Sequence, residues 1–268
     1  DVCSSDLIDF IPKPHSGMAS SMTELTETLL KKIKTAYRVS PEKAASIAME
    51  HASAAAGQRP SAAPVRQGTP LAAIVGLAAS TGGPPALERV FAGLTADIPA
   101  AFLVTQHLPA GFSASLTKRL ASAGGLVTVV AEPGMRVQPG TAYVAPHGSH
   151  LLVDRVGDSA RLRLCDSAPL HGVRPAADPM LKSLAEKFGD RAIAVVLSGM
   201  GTDGALGAVA IKESGGHVIV QDEATSVVWG MPGAAVRLQA AQRIFAIGDI
   251  AAEIRRAVRS RTEQDGYR

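Results

Sequence analysis

The sequence predicts an α/β fold built on a doubly wound, mostly parallel sheet with helices on both faces. Short continuous apolar runs recur along most of the chain, for example 71–77, 100–105 and 192–197, and such runs are typical of strands buried on both faces. Segments with apolar residues at helical spacing separate the runs. This alternation favours parallel strands joined by crossover helices, a three-layer, Rossmann-like arrangement.

Strands are predicted where an apolar run of strand length is bounded by glycine, proline or polar residues. In chain order they cover 71–77, 100–105, 126–130, 141–145, 151–153, 161–164, 192–197, 217–221 and 244–247. Two of them, 141–145 and 151–153, flank Pro146-His147-Gly148. We expect these two to pair as a hairpin that 161–164 extends.

Helices are predicted where apolar residues return every three or four positions. Leu87, Val90, Phe91 and Leu94 show this spacing after the first strand. Further helices are expected over 114–120, 180–188, 205–213, 234–238 and 249–258. Asp249 stands at the start of the last helix, where its carboxylate can accept hydrogen bonds from free amides, so we expect it to be the N-cap.

Composition excludes several classes of function. Hydrophobic residues make up 46% and charged residues 19% of the 268 positions, which is typical of a folded domain. The net charge is only +3, aromatics are 4%, and no dense basic run is present, so no nucleic-acid partner is expected. No apolar run approaches the ~18 residues of a membrane span, so no membrane insertion is expected. With Cys3 and Cys165 alone and no recognisable signal peptide, the sequence indicates a reduced, cytoplasmic protein.

The first 69 residues differ in character from the rest. Residues 1–7 have no periodicity and resemble a translated sequencing adapter, so we expect an artefact there. Residues 8–39 carry one β-like run, a Ser21-Met22-Thr23-Glu24 capping box and one amphipathic helix. We interpret them as the last strand and helix of a doubly wound domain, because two such elements cannot bury a core alone.

A linker connects that segment to the main domain. Residues 40–69 begin with a short helical segment and then become rich in Ala, Gly, Pro and Ser, a composition typical of linkers. The expected main domain covers 70–262, followed by a tail at 263–268. We find no internal repeat.

A serine, a histidine and an aspartate follow three predicted strands. Ser80 comes after the first strand and precedes Thr81-Gly82-Gly83, His107 comes after the second, and Asp203 follows 192–197. In open parallel sheets, sites form beyond the carboxyl ends of the strands. The three side chains are therefore expected on one rim of the sheet.

These residue types suit nucleophilic catalysis. Glycines allow a sharp turn and close approach of a substrate to the backbone, and the following helix N-terminus offers free N–H groups to an oxyanion. Ser80 needs a general base, which His107 can supply. Asp203 can fix the tautomer of the histidine and stabilise its protonated form.

Each residue also has a structural interpretation, and a second class of function stays open. A serine before two glycines is often an N-cap or part of a phosphate-binding turn, and an aspartate before glycine is often a turn residue. A non-catalytic nucleotide- or phosphate-binding α/β module is therefore an alternative. The order Ser…His…Asp differs from the Ser…Asp…His order of α/β-hydrolases.

Six short motifs then carry a resemblance to a known family. In order they are ASTGG (79–83), QHLPAGF (106–112), YVAP (143–146), RPAAD (174–178), LSGMGTDG (197–204) and GMP (230–232). Over about 71–258 this series resembles the CheB family of chemotaxis-receptor methylesterases. The resemblance implies hydrolysis of methyl esters on receptor glutamates through an acyl-serine intermediate; some members also deamidate receptor glutamines. The same esterase in a different sensory pathway is a further alternative.

The resemblance also assigns residue roles. It implies that Ser80 is the nucleophile, His107 the base and Asp203 the orienting acid, with Thr81 and Met200 beside the site. Met200 would lend its backbone N–H to the oxyanion. Thr202 stands where many members carry Asn, so a contact made by that amide could be lost.

Regulation and partners are implied in the same way. Residues 8–39 resemble the end of a receiver domain, whose lysine contacts a phosphorylated aspartate; that lysine would be Lys13. The implied partners are methylated chemoreceptor cytoplasmic domains and, through the receiver domain, a histidine kinase.

No cofactor and no metal are expected. His147 and His150 have a metal-like spacing but lack a third nearby ligand. His15, His51, His171 and His217 form part of no recognisable constellation.

Overall fold

The computed structural model describes residues 70–157 and 159–265, together with 26, 29, 30, 32–34 and 37, all seven of which are helical. Lys13 and the adapter-like, strand and linker segments predicted before residue 70 lie outside the described residues. No helix among the described residues is long and apolar enough to cross a membrane.

The described part of the chain contains a seven-stranded parallel sheet and a separate two-stranded ribbon. The strands are β1 Ala73–Ala79, β2 Ala100–Gln106, β3 Val127–Val130, β4 Thr141–Val144, β5 His150–Val156, β6 Ser159–Cys165, β7 Ala192–Val196, β8 His217–Gln221 and β9 Arg243–Phe245. The order in the large sheet is β3-β4-β2-β1-β7-β8-β9, with every pairing parallel. Strand order reverses direction on either side of β1, as in doubly wound folds.

Helices cover both faces of the sheet. They are α1 Gly83–Phe91, α2 Ser113–Ala123, α3 Ala177–Phe188, α4 Ala205–Glu213, α5 Gly230–Arg237 and α6 Ile247–Asp265, with a 3-10 turn at Gly189–Arg191. One core contains buried residues of α1, α2 and α6. The other contains those of α3, α4, α5 and the β5–β6 ribbon. Successive β1 residues alternate between the two cores, Ile74 in one and Val75 in the other, so the predicted three-layer α/β fold is confirmed.

The predicted hairpin of 141–145 with 151–153 is wrong. Thr141–Val144 pairs in parallel with both β2 and β3. The expected extension by 161–164 is confirmed, because β5 pairs antiparallel with β6. The difference follows from burial. All four residues of β4 are buried, which requires cover on both faces, whereas Ala160 and Leu162 of β6 are buried and the intervening Arg161 is exposed, as in a strand with one solvated face.

The last helix also differs from the prediction. It begins at Ile247, so Asp249 lies in its first turn and is not the N-cap. The helix starts earlier because Thr225 Oγ1 accepts a hydrogen bond from the Ile247 amide at 3.0 Å, a cap supplied from elsewhere in the chain. Asp249 still lies at the positive end of the helix dipole. The helix continues to Asp265, so residues 263–265 of the predicted tail are helical.

Close packing of α3 against the sheet depends on a glycine. A Cβ at Gly76 in β1 would lie 2.6 Å from Leu181 Cδ2 and 2.8 Å from Leu184 Cδ1. The missing side chain lets α3 pack close to the central strand. This placement matters for function because the first turn of α3 lies at the sheet rim.

Candidate active site

Three adjacent strands deliver the predicted catalytic side chains to one rim. Ser80 follows β1 directly, His107 follows β2 directly, and Asp203 lies in the loop between β7 and α4. In the sheet β1 lies between β2 and β7. Because all three strands run parallel, their carboxyl ends meet at the same edge, and the structure brings the three residues together as the sequence predicts.

The three side chains form a continuous hydrogen-bonded chain. His107 Nδ1 lies 3.0 Å from Ser80 Oγ, and His107 Nε2 lies 2.7 Å from Asp203 Oδ2. A carboxylate can only accept, so Nε2 carries the proton and Nδ1 holds the lone pair that faces the serine hydroxyl. This tautomer is the one required of a general base.

Asp203 is buried and held by backbone amides from two helix starts. It is 1% exposed. Its Oδ2 accepts the Ala177 amide at 2.6 Å, and its Oδ1 accepts the amides of Asp178 and Gly204, each at 2.9 Å. Burial acts to raise the pKa of Asp203, but the hydrogen bond and charge of His107, together with the Ala177 and Asp178 amides, outweigh it and lower the pKa. Asp203 therefore stays ionised beside His107.

Ser80 sits in a turn fixed by its own backbone. Its amide donates to the Ser198 carbonyl at 3.0 Å, and its carbonyl accepts from the Gly83 amide at 2.7 Å. Gly82, between them, has a φ of 74°, in the left-handed region that favours glycine. The turn presents the hydroxyl of Ser80 beside the N-terminus of α1. The free N–H groups expected there are missing from the first three helical residues, because the Gly83 amide already donates to Ser80 and the next two residues are prolines, which carry no N–H.

Gln106 connects the backbones of Ser80 and His107. Its side-chain Nε2 donates to the Ser80 carbonyl at 2.9 Å and to the His107 carbonyl at 3.1 Å, and the residue is 4% exposed. A Cβ at Gly83 would lie 2.0 Å from Gln106 Oε1. Gln106 therefore fixes the separation of the Ser80 and His107 backbones.

The loop after β7 packs against the other side of Ser80. A Cβ at Gly199 would lie 2.9 Å from Ser80 Cβ and 2.2 Å from Met231 Sδ, so only glycine allows this approach. The next residue, Met200, is half-buried and Thr81 is buried. Both predicted near-site residues thus belong to the loops that border Ser80.

Ser198 ties these loops together. It is fully buried; its hydroxyl donates to the Thr81 carbonyl at 2.8 Å and accepts from the Val228 amide at 3.0 Å. Sequence reasoning did not identify Ser198 or Gln106. Both are polar residues at the carboxyl end of an apolar run, and that position was the available signal.

His171 was expected to form part of no constellation, and this expectation is wrong. Its Nε2 lies 2.8 Å from Asp178 Oδ2, and ligand atoms of His171, Asp178 and Asp203 all lie within 4.8 Å of one another. Such a cluster could in principle hold a metal. However, Asp203 accepts three amides, and Asp178 Oδ1 accepts the Gly207 amide at 2.7 Å. Amides at the starts of α3 and α4 favour anions and disfavour a cation, so we interpret the cluster as two carboxylates that each accept hydrogen bonds from backbone amides and a histidine.

The two histidines with metal-like spacing do not converge. His147 Nδ1 lies 2.9 Å from the Leu108 carbonyl. His150 is buried, with Nε2 3.2 Å from the Ala168 carbonyl and Nδ1 accepting the Ala176 amide at 3.0 Å. Their partners are backbone groups in different loops.

Comparison with known proteins agrees with this geometry. The CheB methylesterase family profile matches residues 75–254. Proteins named protein-glutamate methylesterase/protein-glutamine glutaminase from Pyrococcus abyssi and Pyrococcus horikoshii are 40% and 42% identical over 251 and 229 residues. These alignments cover 94% and 85% of this chain, which spans 67% and 61% of the two relatives.

A solved structure extends the agreement to three dimensions. The Thermotoga maritima CheB methylesterase catalytic domain superposes with a TM-score of 0.68 at 38% identity, covering 69% of this chain and 97% of that domain. The sheet order, the serine turn and the family profile all fall within the same stretch. This chain therefore belongs to the CheB methylesterase family.

Proposed function

We propose that this chain is a serine hydrolase that removes methyl esters from glutamate side chains of methylated chemoreceptors, with Ser80, His107 and Asp203 as its catalytic triad. The observation that carries the proposal is the unbroken contact chain of 3.0 Å from Ser80 to His107 and 2.7 Å from His107 to Asp203. The names of the related proteins support both the ester substrate and a glutaminase activity.

The geometry defines the acylation step. Ser80 Oγ attacks the ester carbonyl carbon while its proton passes to His107 Nδ1. Asp203 stabilises the resulting imidazolium through Nε2–H and keeps its own charge. In this proposal the Met200 amide stabilises the oxyanion. Methanol leaves with the proton from His107, and the acyl group stays on Ser80.

Deacylation repeats these roles with water. His107 takes a proton from water, hydroxide adds to the acyl carbonyl, and the glutamate carboxylate leaves as Ser80 regains its proton. Deamidation of a receptor glutamine would use the same steps with ammonia as the leaving group. In this proposal the partners are receptor cytoplasmic domains and, through a receiver domain, a histidine kinase, and the enzyme acts in the cytoplasm.

Methanol release tests the proposal. We expect purified chain to release methanol from methylated receptor, and Ser80→Ala to abolish release while keeping its circular dichroism spectrum, because alanine fits the turn and only the hydroxyl is lost. Near-native turnover by folded Ser80→Ala would contradict the triad. A thermal shift caused by nucleotides, with no methanol release by the wild type, would favour the phosphate-binding alternative.

A further inference from the structure

Behind the proposed triad lies a second histidine–aspartate pair. His171 Nε2 is 2.8 Å from Asp178 Oδ2. The side chain of His171 is 30% exposed and that of Asp178 is 0% exposed. The other oxygen of Asp178 accepts the Gly207 amide at 2.7 Å. Asp178 is thus a fully buried carboxylate with a histidine on one oxygen and the first turns of α4 on the other.

This pair is joined directly to Asp203. The backbone amide of Asp178 donates to Asp203 Oδ1 at 2.9 Å, and His171 Nε2 lies 3.9 Å from the same oxygen. His107 contacts the opposite oxygen, Oδ2, at 2.7 Å. The Asp203 carboxylate therefore lies between two imidazoles, one that touches the nucleophile and one that reaches the solvent.

A tight two-residue turn delivers His171 to this position. Leu170 and Val173 exchange backbone hydrogen bonds of 3.1 and 3.0 Å across the turn. His171 and Gly172, between them, have φ values of 56° and 74°. Positive φ values at both central residues are typical of a type I′ turn, which glycine adopts freely and in which histidine is more frequent than most other residues.

We propose that His171 is a positioning residue that acts on the triad through Asp178. Its Nε2–H satisfies the buried Asp178 oxygen, which holds the first turn of α3 in register with α4. The Asp178 amide then keeps Asp203 Oδ1 fixed, and Asp203 Oδ2 in turn fixes the ring of His107. Without this donor, Asp178 Oδ2 loses its histidine partner, so the buried carboxylate must shift or attract water, and the amide that orients Asp203 moves with it. This inference rests on the proposed triad.

Two substitutions at position 171 separate the donor from the rest of the side chain. Asparagine tolerates a positive φ and keeps the turn, but its side chain is too short for the amide nitrogen to reach the position of Nε2. Glutamine carries an amide N–H about as far from the backbone as Nε2. We therefore expect His171→Asn to remove the contact and His171→Gln to restore much of it. Leu170→Ala, at an exposed neighbour in the same turn, is the matched control.

The readouts are labelling of Ser80 by a fluorophosphonate probe, kcat and KM for methylated receptor, and Tm. His171→Asn should slow labelling and lower kcat by about 5–20-fold with KM within about twofold, since orientation of the base is lost and substrate contacts are not. His171→Gln and Leu170→Ala should stay within about threefold of the wild type. Labelling of His171→Asn at the wild-type rate would overturn the proposal. It would also be overturned if the asparagine and glutamine variants lost the same fraction of activity and that loss paralleled their decrease in Tm, because a merely structural role would then explain both.

Labelling and receptor hydrolysis by the wild type distinguish a failure of the positioning role from a failure of the proposed substrate. If Ser80 is labelled and His171→Asn slows that labelling, but methylated receptor is not hydrolysed, the substrate proposal fails and the positioning role stands. If wild-type Ser80 is not labelled, the triad fails and the positioning role fails with it. In an Asp203→Asn background, His171→Asn should cost at most about twofold, because residues in one chain of contacts do not act additively; a full multiplicative loss would contradict action through Asp203.

Discussion

At the scale of single residues, the site depends on Asp203 being an acceptor at every contact. All of its partners are N–H donors: His107 and the amides of Ala177, Asp178 and Gly204. An amide side chain cannot satisfy that set, because its NH₂ group would face at least one donor whichever way it is turned. The carboxylate is therefore required for position as well as for charge.

Asp203→Asn should consequently lower kcat by about 10³–10⁴-fold, since an amide donating to Nε2 would leave the proton on Nδ1, toward the serine. His107→Ala should cost a similar factor. Receptor demethylation at saturating substrate measures both, and the double variant should lose little more than the worse single one. Losses that multiply would show that the two residues do not act as one unit.

Gln106 offers a second prediction at this scale. Gln106→Glu places an oxygen against the carbonyls of Ser80 and His107, which the present NH₂ group contacts at 2.9 and 3.1 Å. The His107 carbonyl would then lose the Gln106 donor, the Ser80 carbonyl would keep only the Gly83 amide, and both would face an oxygen, so we expect a loss of about 1–3 kcal/mol in unfolding free energy and a fall in kcat. Chemical denaturation of the variant beside wild type measures the first effect. An unchanged unfolding free energy would mean that the two Gln106 hydrogen bonds make no net contribution to stability.

At the scale of elements, the site depends on how closely α3 and α4 approach each other. A Cβ at Gly207 would lie 2.6 Å from Leu181 Cβ and 3.1 Å from the Asp178 carbonyl oxygen. The Gly207 amide also donates to Asp178 Oδ1 at 2.7 Å. Helix contact and hydrogen bond therefore coincide at one residue, and that residue has no side chain.

We predict that Gly207→Ala separates the two helices. The added methyl group meets backbone and a Cβ, neither of which can rotate away, so unfolding free energy should fall by about 1–3 kcal/mol. Activity should fall as well, because the amides that hold Asp203 shift with α3. Leu206→Ala, at the exposed position before it, is the control in thermal melts and methanol release. Equal Tm and equal methanol release in the two variants would contradict the close contact between α3 and α4 at Gly207.

The contact between β8 and α6 predicts a pH dependence of stability. His217 Nε2 lies 3.1 Å from Glu253 Oε1, and Glu253 is buried and bonded to Arg256. Burial lowers the pKa of His217 and outweighs the opposing effect of Glu253, with Arg261 and Arg256 lowering it further. The folded state therefore binds this proton less readily than the unfolded state, and stability must fall as pH decreases through about 6.5 toward the lower folded pKa.

We expect Tm to decrease between pH 8 and pH 5.5 and the decrease to be smaller in His217→Gln, which keeps a donor toward Glu253 without a titrating ring. Scanning fluorimetry across that range measures both. All other residues are the same in the two proteins, so the difference between the two slopes reports on position 217. An identical dependence of Tm on pH in wild type and variant would show that His217 does not contribute to it.

The sequence predicts the buried strands and the residues at their ends better than it predicts strand pairing and contacts made by turns. Strands buried on both faces were predictable, and Ser80, His107 and Asp203 followed because polar residues after parallel strands must meet at one rim. The predicted pairing of β4 is wrong because it rests on the short distance in sequence between β4 and β5, whereas burial decides the pairing. The alternation of arginine with apolar residues in β6 is the sequence signal of a strand with one solvated face. His171 could not be predicted, since its partners depend on a turn whose φ values no spacing rule encodes.

At the scale of the whole molecule, the described sheet and its two helical layers form a unit. Both cores lie between residues 71 and 258, and the Thermotoga catalytic domain matches this unit over nearly its whole length. Ahead of it, Leu29, Leu30, Ile33 and Tyr37 lie on a helical segment and are 41–91% exposed. Large apolar side chains exposed on one segment are unusual in an isolated domain, and they agree with the proposal that 8–39 belong to a receiver domain.

The last prediction concerns limited proteolysis of the whole chain. The Ala-, Gly-, Pro- and Ser-rich composition of the 40–69 linker predicts cleavage there, whereas packed backbone from about residue 70 should resist. We expect a stable product beginning near residue 70 that hydrolyses receptor methyl esters without a phosphodonor and at the rate of the uncut chain, because every proposed catalytic contact lies within it. Mass spectrometry gives the start of the product and methanol release gives its activity. A sharp rise in activity on cleavage would instead show that the N-terminal segment restrains the site, and a stable product beginning well before residue 40 would place the domain boundary elsewhere.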